Sequence, residues 1–254
     1  MRFFETLSYS GDISPSSFGR TIREKLAFTK VIHINHVDPK KNLLQFYDRV
    51  TEEIGHCCLL GEDAETNLRT GEKWFEVRYD PKVPKSYRHA KVAQPLHTDG
   101  SYIKNTPNLT FIFCINQVPE GGETIFLDSH DLITLLEENE PSLLNLLSTT
   151  FIKFSKVGDE KTAPVILREN NNEPLLNWNY FCLDPSASPE IKKLSIRFSA
   201  FLEQVALKSD KILEVHLQPG DAVVFRDQLL FHGRNSFDAE KPNERYFQKA
   251  CIKL

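Results

Sequence analysis

Apolar residues recur at helical spacing in several stretches of the chain, and most of these stretches have a proline near their first turn. Proline is favoured there because its missing N–H would have no partner inside the helix. We predict helices from residue 14 to about 30, over 38–54 and from 188 to about 208, with two shorter helices beginning near Asp128 and Pro141.

Short apolar or alternating runs, bounded by glycine, proline or asparagine, occupy much of the remaining chain, which is typical of β-strands. Residues 170–172 are three asparagines, and we expect a turn there. The predicted strands lie at 31–34, 109–115, 124–127, 149–154, 164–167 and 175–181, on both sides of the Pro-Gly-Asp turn at 219–221, and at 245–252.

This order of elements predicts a mainly β protein with flanking helices, built on a double-stranded β-helix, or jelly-roll, core. We expect one domain over residues 1–254. Residues 1–90 would supply a helical buttress and loops. Residues 91–252 would supply the jelly roll, interrupted by an insertion at about 128–210. Insertions of this size commonly build a lid or a substrate wall.

Composition narrows the possible functions. The net charge is −4, and the chain has no basic stripe of the kind that binds nucleic acid or an anionic membrane surface. Five cysteines without metal-site spacing indicate reduced thiols in a cytoplasmic protein. No apolar run approaches a transmembrane span. Motifs of nucleotide-binding sheets and serine hydrolases are also missing, so we expect a small-molecule substrate.

Candidate chemistry begins with His97 and Asp99, at the end of a predicted strand. Residues two apart in a strand face the same way, so both side chains can bind one metal ion. Far downstream, His232 follows two predicted strands and Arg245 begins the last one. Two histidines and one carboxylate are the ligand set of non-haem Fe(II) oxygenases. A guanidinium on a neighbouring strand suits a dicarboxylate co-substrate.

The chain resembles the Fe(II)/2-oxoglutarate-dependent dioxygenases, in the branch of taurine dioxygenase and clavaminate synthase. The matching motifs follow the family's order: His97-Thr98-Asp99, Gly121-Gly122-Glu123-Thr124, Pro219-Gly220-Asp221, His232-Gly233-Arg234 and Arg245. The resemblance implies that His97, Asp99 and His232 bind Fe(II). It also implies that Arg245 and Thr124 bind the far carboxylate of 2-oxoglutarate. For Arg234 we expect a structural ion pair.

The resemblance further implies an oxygenase that uses Fe(II), 2-oxoglutarate and O2 to hydroxylate an unactivated C–H bond of a small molecule, such as a free amino acid or an amino-acid-derived metabolite. The residues leave three alternatives open. One is the same iron chemistry ending in desaturation, cyclisation or halogenation; Asp99 disfavours halogenation, since it occupies the position that a halide needs. The second is a zinc or manganese hydrolase, and the third is a non-catalytic jelly-roll module that binds a metal or ligand.

Substrate contacts are harder to assign. Trp74 and Arg78 interrupt a polar, irregular stretch at 60–90, so they either anchor a loop or line a pocket. In the strand predicted at 175–181, alternation places Asn177 and Asn179 on one face. Our candidate substrate residues are therefore Arg78, Trp74, Asn177 and Asn179.

Overall fold

The structure is a computed structural model that describes residues 1–63, 66, 68–84, 86–168 and 173–254. Its strands are β1 Arg2–Ser8, β2 Thr29–Asn35, β3 His56–Cys58, β4 Phe75–Arg78, β5 Gln94–His97, β6 Leu109–Asn116, β7 Thr124–Asp128, β8 Ile152–Lys156, β9 Asp159–Ala163, β10 Ile166–Arg168, β11 Pro174–Leu176, β12 Leu213–Val215, β13 Ala222–Arg226, β14 Leu230–Arg234 and β15 Tyr246–Lys253. Its helices are α1 Pro15–Leu26, α2 Leu43–Ile54, α3 Ser129–Asn139, α4 Pro141–Thr149 and α5 Pro189–Gln204. Within these ranges, no helix combines the length and apolarity needed to cross a membrane.

Two sheets form the core of the fold. The larger sheet has the strand order β1-β2-β13-β6-β15-β3, with β4 also paired to β15, and the smaller sheet has the order β12-β7-β14-β5. Sheet neighbours come from distant parts of the chain, and the central pairs are antiparallel. The predicted mainly β class with a jelly-roll core is confirmed, although neither sheet closes on itself.

Apolar side chains fill a layer between the two sheets and a layer on the outer face of each. Helices α1 and α2 cover the larger sheet, where Tyr47 stacks on Phe113 with ring centroids 4.9 Å apart. Helices α3, α4 and α5 cover the smaller sheet, where the ring centroids of Phe198 and Phe231 are 6.1 Å apart. Because side chains alternate along a strand, every second residue of these strands points into the space between the sheets.

The helix predicted over 38–54 has its N-cap at Asp38 and its first residue at Pro39. In the structure, helix α2 begins at Leu43, four residues later. Its N-cap is Asn42, whose side chain accepts the backbone N–H of Gln45 at 3.1 Å. Asp38 instead closes a short turn by accepting the N–H of Lys40 at 2.9 Å. The prediction placed the start at the first capping signal, whereas the structure uses the second. Helices α1 and α5 do begin at the predicted prolines.

The first ninety residues contribute more strand than predicted. Strand β1 has no counterpart in the sequence prediction; it pairs in parallel with β2 and extends the larger sheet at one edge. Strands β3 and β4 pair with β15. An edge strand such as β1 is exposed along part of its length, so its residues show no clean apolar alternation. This region is therefore part of the sheet as well as its buttress.

The segment between β7 and β12 contains α3–α5 and two small hairpins, β8–β9 and β10–β11. Strand β11 ends at Leu176, so the predicted strand at 175–181 is too long. A 3₁₀ turn at Tyr180–Cys182 follows, and the side chain of Asn179 caps it by accepting the N–H of Phe181 at 3.1 Å. The turn predicted at 170–172 lies outside the described residues.

We predict that Tyr47→Phe lowers the free energy of unfolding by about 1–3 kcal/mol. Tyr47 is fully buried, and its hydroxyl donates to the backbone carbonyl of Gly220 at 2.5 Å, so the substitution leaves that carbonyl without this partner. Urea denaturation followed by circular dichroism measures the change. Tyr180→Phe is the control, because Tyr180 is 41% exposed and should change stability by less than about 0.5 kcal/mol. Equal changes in both variants would contradict the prediction.

Candidate metal centre and cavity

Strand pairing brings two distant histidines together. Strands β5 and β14 are antiparallel neighbours in the smaller sheet, and His97 is the direct partner of His232. The two imidazole rings have centroids 4.2 Å apart, and both side chains are buried. The register of this one strand pair therefore sets the spacing of the two rings.

Asp99 completes a group of side chains that can hold a metal ion. One of its carboxylate oxygens lies 3.8 Å from Nε2 of His97, and the other lies 3.6 Å from Nε2 of His232. One ligand atom from each of the three residues lies within 4.8 Å of the others. In the described part of the chain, no other group of histidine, cysteine, aspartate or glutamate side chains has this spacing.

Both histidines are held in the neutral form that binds metals. Nδ1 of His97 lies 2.8 Å from the backbone carbonyl of Pro95. Since a carbonyl can only accept, Nδ1 carries the proton and Nε2 keeps its lone pair. Burial lowers the pKa of His97, and burial together with the neighbouring His97 lowers the pKa of His232 well below its ordinary value. The donor set therefore fits a divalent metal ion.

Asp227 supports the site from the side of β14. It is buried in the 3₁₀ turn that precedes this strand, and its Oδ1 accepts the backbone N–H of Asp99 at 2.9 Å. The same oxygen lies 3.5 Å from Nδ1 of His232. Burial and the nearby Asp99 raise the pKa of Asp227 well above its ordinary value. The contact with His232 is not a hydrogen bond, and Nδ1 of His232 has no hydrogen-bond partner among the described residues. The sequence prediction missed Asp227, although an acid within the apolar run before His232 was a usable signal.

Lys249 places a positive charge against the candidate carboxylate ligand. Its Nζ forms an ion pair with Oδ2 of Asp99, and the hydroxyl of Thr110 donates to the same oxygen at 3.1 Å. Burial alone would raise the pKa of Asp99, but Lys249, His232 and His97 together outweigh burial and hold the pKa well below the usual range. Burial disfavours the ammonium, yet Asp99 raises the pKa of Lys249. The pair is therefore fully ionised.

Lys249 was also missed, and strand alternation was the signal that could have found it. Arg245 immediately precedes β15, and residues at even spacing from Arg245 face the same side of that strand. Phe247, Lys249 and Cys251 all line the cavity together with Arg245. A prediction that Arg245 faces the site therefore places Lys249 there as well.

Arg245 is a buried cation that forms no ion pair with a carboxylate in the described part of the chain. Its Nη2 donates to the backbone carbonyl of Gly122 at 3.1 Å, while its buried Nε has no hydrogen-bond partner among the residues that the structure describes. The ring of Phe247 lies 4.1 Å from the guanidinium carbon. Burial, and then the charge of Arg234, lower the pKa of Arg245 well below its ordinary value. A buried guanidinium with unused donors fits the carboxylate of a ligand.

Gly122 leaves the space that this guanidinium occupies. Gly122 has a φ of 68°, and a Cβ atom there would lie 2.8 Å from Nε of Arg245, so a larger residue would be strained and would displace the arginine. Thr124, the first residue of β7, is buried and lines the same cavity as Arg245. The structure therefore brings together the five residues that the resemblance singled out: His97, Asp99, Thr124, His232 and Arg245.

The cavity around these side chains has a volume of about 430 Å³. Of the four candidate substrate residues, Asn179 lies in its wall. The other three are not among the lining residues that the structure describes. Trp74 packs on the outer face of the larger sheet, where its indole donates to Asp48 at 3.0 Å. Arg78 forms ion pairs with the acidic side chains beside it, and Asn177 is buried beyond the end of β11.

Arg234 holds one wall of the cavity in place. It forms no ion pair with the residues that the structure describes, contrary to expectation; its guanidinium instead donates to the backbone carbonyls of Tyr87 at 3.0 Å, Ala90 at 2.8 Å and Val92. These carbonyls accept from Nη1 and Nη2, while the buried Nε has no hydrogen-bond partner among the described residues. Burial lowers the pKa of Arg234 to about 10. The segment 87–92 is therefore fastened to β14, the strand that carries His232.

The chain matches the model of the taurine catabolism dioxygenase TauD, TfdA family over residues 9–251. Because the match covers nearly the whole chain, the protein belongs to this family. The shared fold agrees with that assignment, since asparagine oxygenase, in a complex with Fe(II), 3-hydroxyasparagine and succinate, superposes with a TM-score of 0.68 at 15% identity, covering 99% of this chain and 94% of that one.

Two curated relatives are more similar in sequence. Human gamma-butyrobetaine dioxygenase is 25% identical over 164 residues, which cover 61% of this chain and 42% of that protein. Uridine-5'-phosphate dioxygenase from Amycolatopsis sp is 27% identical over 214 residues, which cover 71% of this chain and 74% of that protein. The match to the human enzyme thus spans about two fifths of its length.

We predict opposite effects of Lys249→Met on folding and on metal binding. Without metal, the variant leaves the buried carboxylate of Asp99 without its cation, which should lower the free energy of unfolding by about 3–5 kcal/mol. With Mn(II) present, the variant removes a charge that repels the ion, worth ~1–4 kcal/mol, so Mn(II) should bind at least several-fold more tightly. Urea denaturation and calorimetric titration measure the two effects.

Lys253→Met is the control for this prediction, since Lys253 lies on the same strand and is exposed. It should change neither quantity. A Lys249→Met variant with weaker Mn(II) binding would show that the ammonium does not compete with the ion for Asp99.

Proposed function

We propose that the protein is an Fe(II)- and 2-oxoglutarate-dependent oxygenase that hydroxylates a C–H bond of a small molecule. The observation that carries this proposal is the joint presence, in one cavity, of a His-Asp-His group with neutral imidazoles and a buried arginine with unused donors. A hydrolase on the same triad would give Arg245 no ligand, and a remnant binding module would not need both features intact.

His97, Asp99 and His232 would hold the metal on one side, leaving its other positions open to the cavity. Fe(II) held there would activate O2, with one oxygen atom entering the C–H bond of the substrate and the other entering succinate as 2-oxoglutarate is oxidised and loses CO2. The protein's part is to position the reactants and exclude water. Asp227 holds the backbone of Asp99, and Lys249 and Thr110 hold one oxygen of the Asp99 carboxylate.

Arg245 and Thr124 would bind the far carboxylate of 2-oxoglutarate. Arg245 has donors to spare and no anionic partner among the described residues, and Gly122 keeps the space beside it open. Thr124 lines the same cavity and can add a neutral hydrogen bond. A charge-assisted contact contributes about 1.5–3 kcal/mol and a neutral one about 0.5–1.5 kcal/mol, so Arg245 should dominate.

The substrate class is a small molecule such as a free amino acid or an amino-acid-derived metabolite. Asparagine oxygenase, with the same fold, is known in complex with a hydroxylated amino acid, and gamma-butyrobetaine dioxygenase is a sequence relative. Asn179 is the candidate substrate residue that lies in the cavity wall. The free cysteines support a cytoplasmic location, and we propose one domain over the whole chain.

Two measurements test the proposal. Anaerobic addition of Fe(II) and 2-oxoglutarate should give the weak visible charge-transfer band of the metal chelate. With O2, a panel of amino acids and their derivatives should include a compound that stimulates succinate release and gains one oxygen atom by mass spectrometry. Asp99→Ala should lose the band and the turnover. Because it also leaves the buried ammonium of Lys249 without its carboxylate, it should lower the free energy of unfolding by about 3–5 kcal/mol, so the assay is run under conditions in which circular dichroism shows it folded. Asp210→Ala, at an exposed aspartate, is the control. Full hydroxylation by folded Asp99→Ala would remove Asp99 from the metal centre.

We predict that Arg245→Ala raises the 2-oxoglutarate concentration needed for the band by roughly ten- to a hundredfold, because a charge-assisted contact is lost. Mn(II) binding without 2-oxoglutarate should stay nearly unchanged. Thr124→Val should weaken 2-oxoglutarate less, since it removes a neutral hydrogen bond. Unchanged 2-oxoglutarate affinity in Arg245→Ala would show that this arginine does not bind the co-substrate.

Gly122→Ala should also weaken 2-oxoglutarate, because the added Cβ lies 2.8 Å from Nε of Arg245 and must displace it. Gly158→Ala provides a matched control: Gly158 has a similar φ of 86°, but an added Cβ meets nothing within 4 Å. Both variants carry the strain of a positive φ, so a loss of affinity confined to Gly122→Ala isolates the displaced arginine. Equal titration curves for the two variants would contradict this explanation.

A further inference from the structure

We propose that the cavity contains an anion-binding subsite formed by Arg69, Arg88 and Lys156, and that the substrate carries a carboxylate or phosphate group that binds there. The inference rests on the proposed function, since it takes this cavity as the substrate site. It adds a chemical requirement on the substrate, an oxyanion away from the reacting carbon, and assigns the residues that recognise it.

Three cations share one carboxylate in this part of the cavity. The carboxylate of Glu62 lies 2.9 Å from Arg69, 2.8 Å from Lys156 and 3.9 Å from Arg88. The hydroxyl of Tyr102 also donates to Glu62 at 3.1 Å. All five side chains line the cavity. One cation would satisfy the charge of Glu62, so the cluster as a whole is positive.

The acidic groups near the cluster neutralise only part of its excess positive charge. Asp159 lies 3.6 Å from Arg69, but its side chain is 54% exposed, where water and salt screen the attraction. The side chain of Arg88 is only 14% exposed. Burial lowers the pKa of Arg88 even though Glu62 and other acidic groups attract its charge. Arg88 is thus a mostly buried cation with incomplete compensation, which is the condition that favours an anionic ligand.

The whole cavity shows the same excess. Its described lining contains six basic side chains, Arg69, Arg88, Lys156, Arg234, Arg245 and Lys249, and three acidic ones, Glu62, Asp99 and Asp227. Fe(II) and 2-oxoglutarate carry opposite charges of equal size, so binding both leaves this imbalance unchanged. A positive cleft with low-dielectric walls concentrates anions. The chain as a whole is negative, so the positive charge is a local property of the cavity.

Phe75 connects the subsite to the metal centre. The guanidinium carbon of Arg88 lies 5.7 Å from the centroid of the Phe75 ring, and Nζ of Lys249 lies 5.6 Å from the same centroid. Lys249 in turn contacts Asp99. A substrate whose anion binds at Arg88 could therefore lie along this ring, with another part of it near the metal ligands. Arg245 is left free for 2-oxoglutarate.

Titration with two simple anions tests the subsite. The protein is first saturated with Fe(II) and 2-oxoglutarate under anaerobic conditions, so that the charge-transfer band reports an occupied co-substrate site. Inorganic phosphate and acetate are then titrated calorimetrically at constant ionic strength, with chloride as the balancing anion. We expect saturable binding of at least one, and the tighter of the two indicates whether the substrate group is a phosphate or a carboxylate.

Variants locate the binding. Arg88→Met and Lys156→Met should each lower the affinity for the anion about ten- to a hundredfold, as loss of a charge-assisted contact implies. Lys156→Arg should retain most of the affinity. Lys153→Met is the matched control, because Lys153 lies on the same strand β8 and pairs with Glu160 at 2.7 Å outside the cavity lining. Circular dichroism checks folding. If Arg88→Met does not fold, the comparison of Lys156→Met with Lys156→Arg decides whether the anion binds at this cluster.

Two results would overturn the inference while leaving the proposed function intact. One is a normal charge-transfer band with no binding of either anion. The other is anion binding that is equal in wild type, Arg88→Met and Lys156→Met. A protein that gives no band contradicts the proposed function itself, and the inference falls with it. Loss of the band during the phosphate titration would mean that phosphate displaces 2-oxoglutarate at Arg245, which also counts against a separate subsite.

Discussion

The pairing of β5 with β14 is the constraint on which the candidate site depends. His97 and His232 come from distant parts of the chain, and their rings meet because they are opposite each other in this antiparallel pair. A slip of one residue would turn one of the two imidazoles out of the space between the sheets. The helices outside both sheets hold the strands in this register through apolar packing. Asp99 then needs only to follow His97 at the end of β5.

Close to strands β5 and β14, the charged groups that are buried in the core lie in contact with polar partners. Asp99 is balanced by Lys249, and Asp227 lies beside His232 and the backbone of Asp99. Ionised groups are costly to bury unless they are paired. Arg245 has no such partner in the described part of the chain, and a dicarboxylate co-substrate would supply one. The polar groups are thus arranged so that ligands complete the pairing.

The sequence predicted the features that depend on local pattern. The strands around His97, Thr124, His232 and Arg245 were recognisable because apolar runs and glycine turns flank them. Asp99 was predicted beside His97 from alternation within a strand, but β5 ends at His97 and Asp99 lies in the turn that follows. The jelly-roll class followed from the order of elements and is confirmed. Strand β1 was missed because an edge strand lacks a clean apolar alternation.

The features that were missed depend on contacts between distant segments. The contacts of Lys249 and Asp227 with Asp99 can be recognised only when β15 and β14 are placed beside β5. The cluster around Glu62 joins the irregular stretch at 60–90 to β8 in the insertion, and no local pattern relates those segments. Trp74 was taken for a possible pocket residue because its neighbours are polar, whereas its ring packs on Phe111 and Phe113.

The way in which Arg234 is bound has a consequence for how this cavity can change over evolutionary time. Its guanidinium grips the backbone carbonyls of residues 87, 90 and 92, and those acceptors are the same whatever side chains the segment carries. Substitutions in this wall can therefore alter the surface offered to a substrate while the path of the chain stays fixed. The segment 87–92 is thus held to the strand that carries His232. Its side chains can nevertheless change in sequence without any change in the metal ligands.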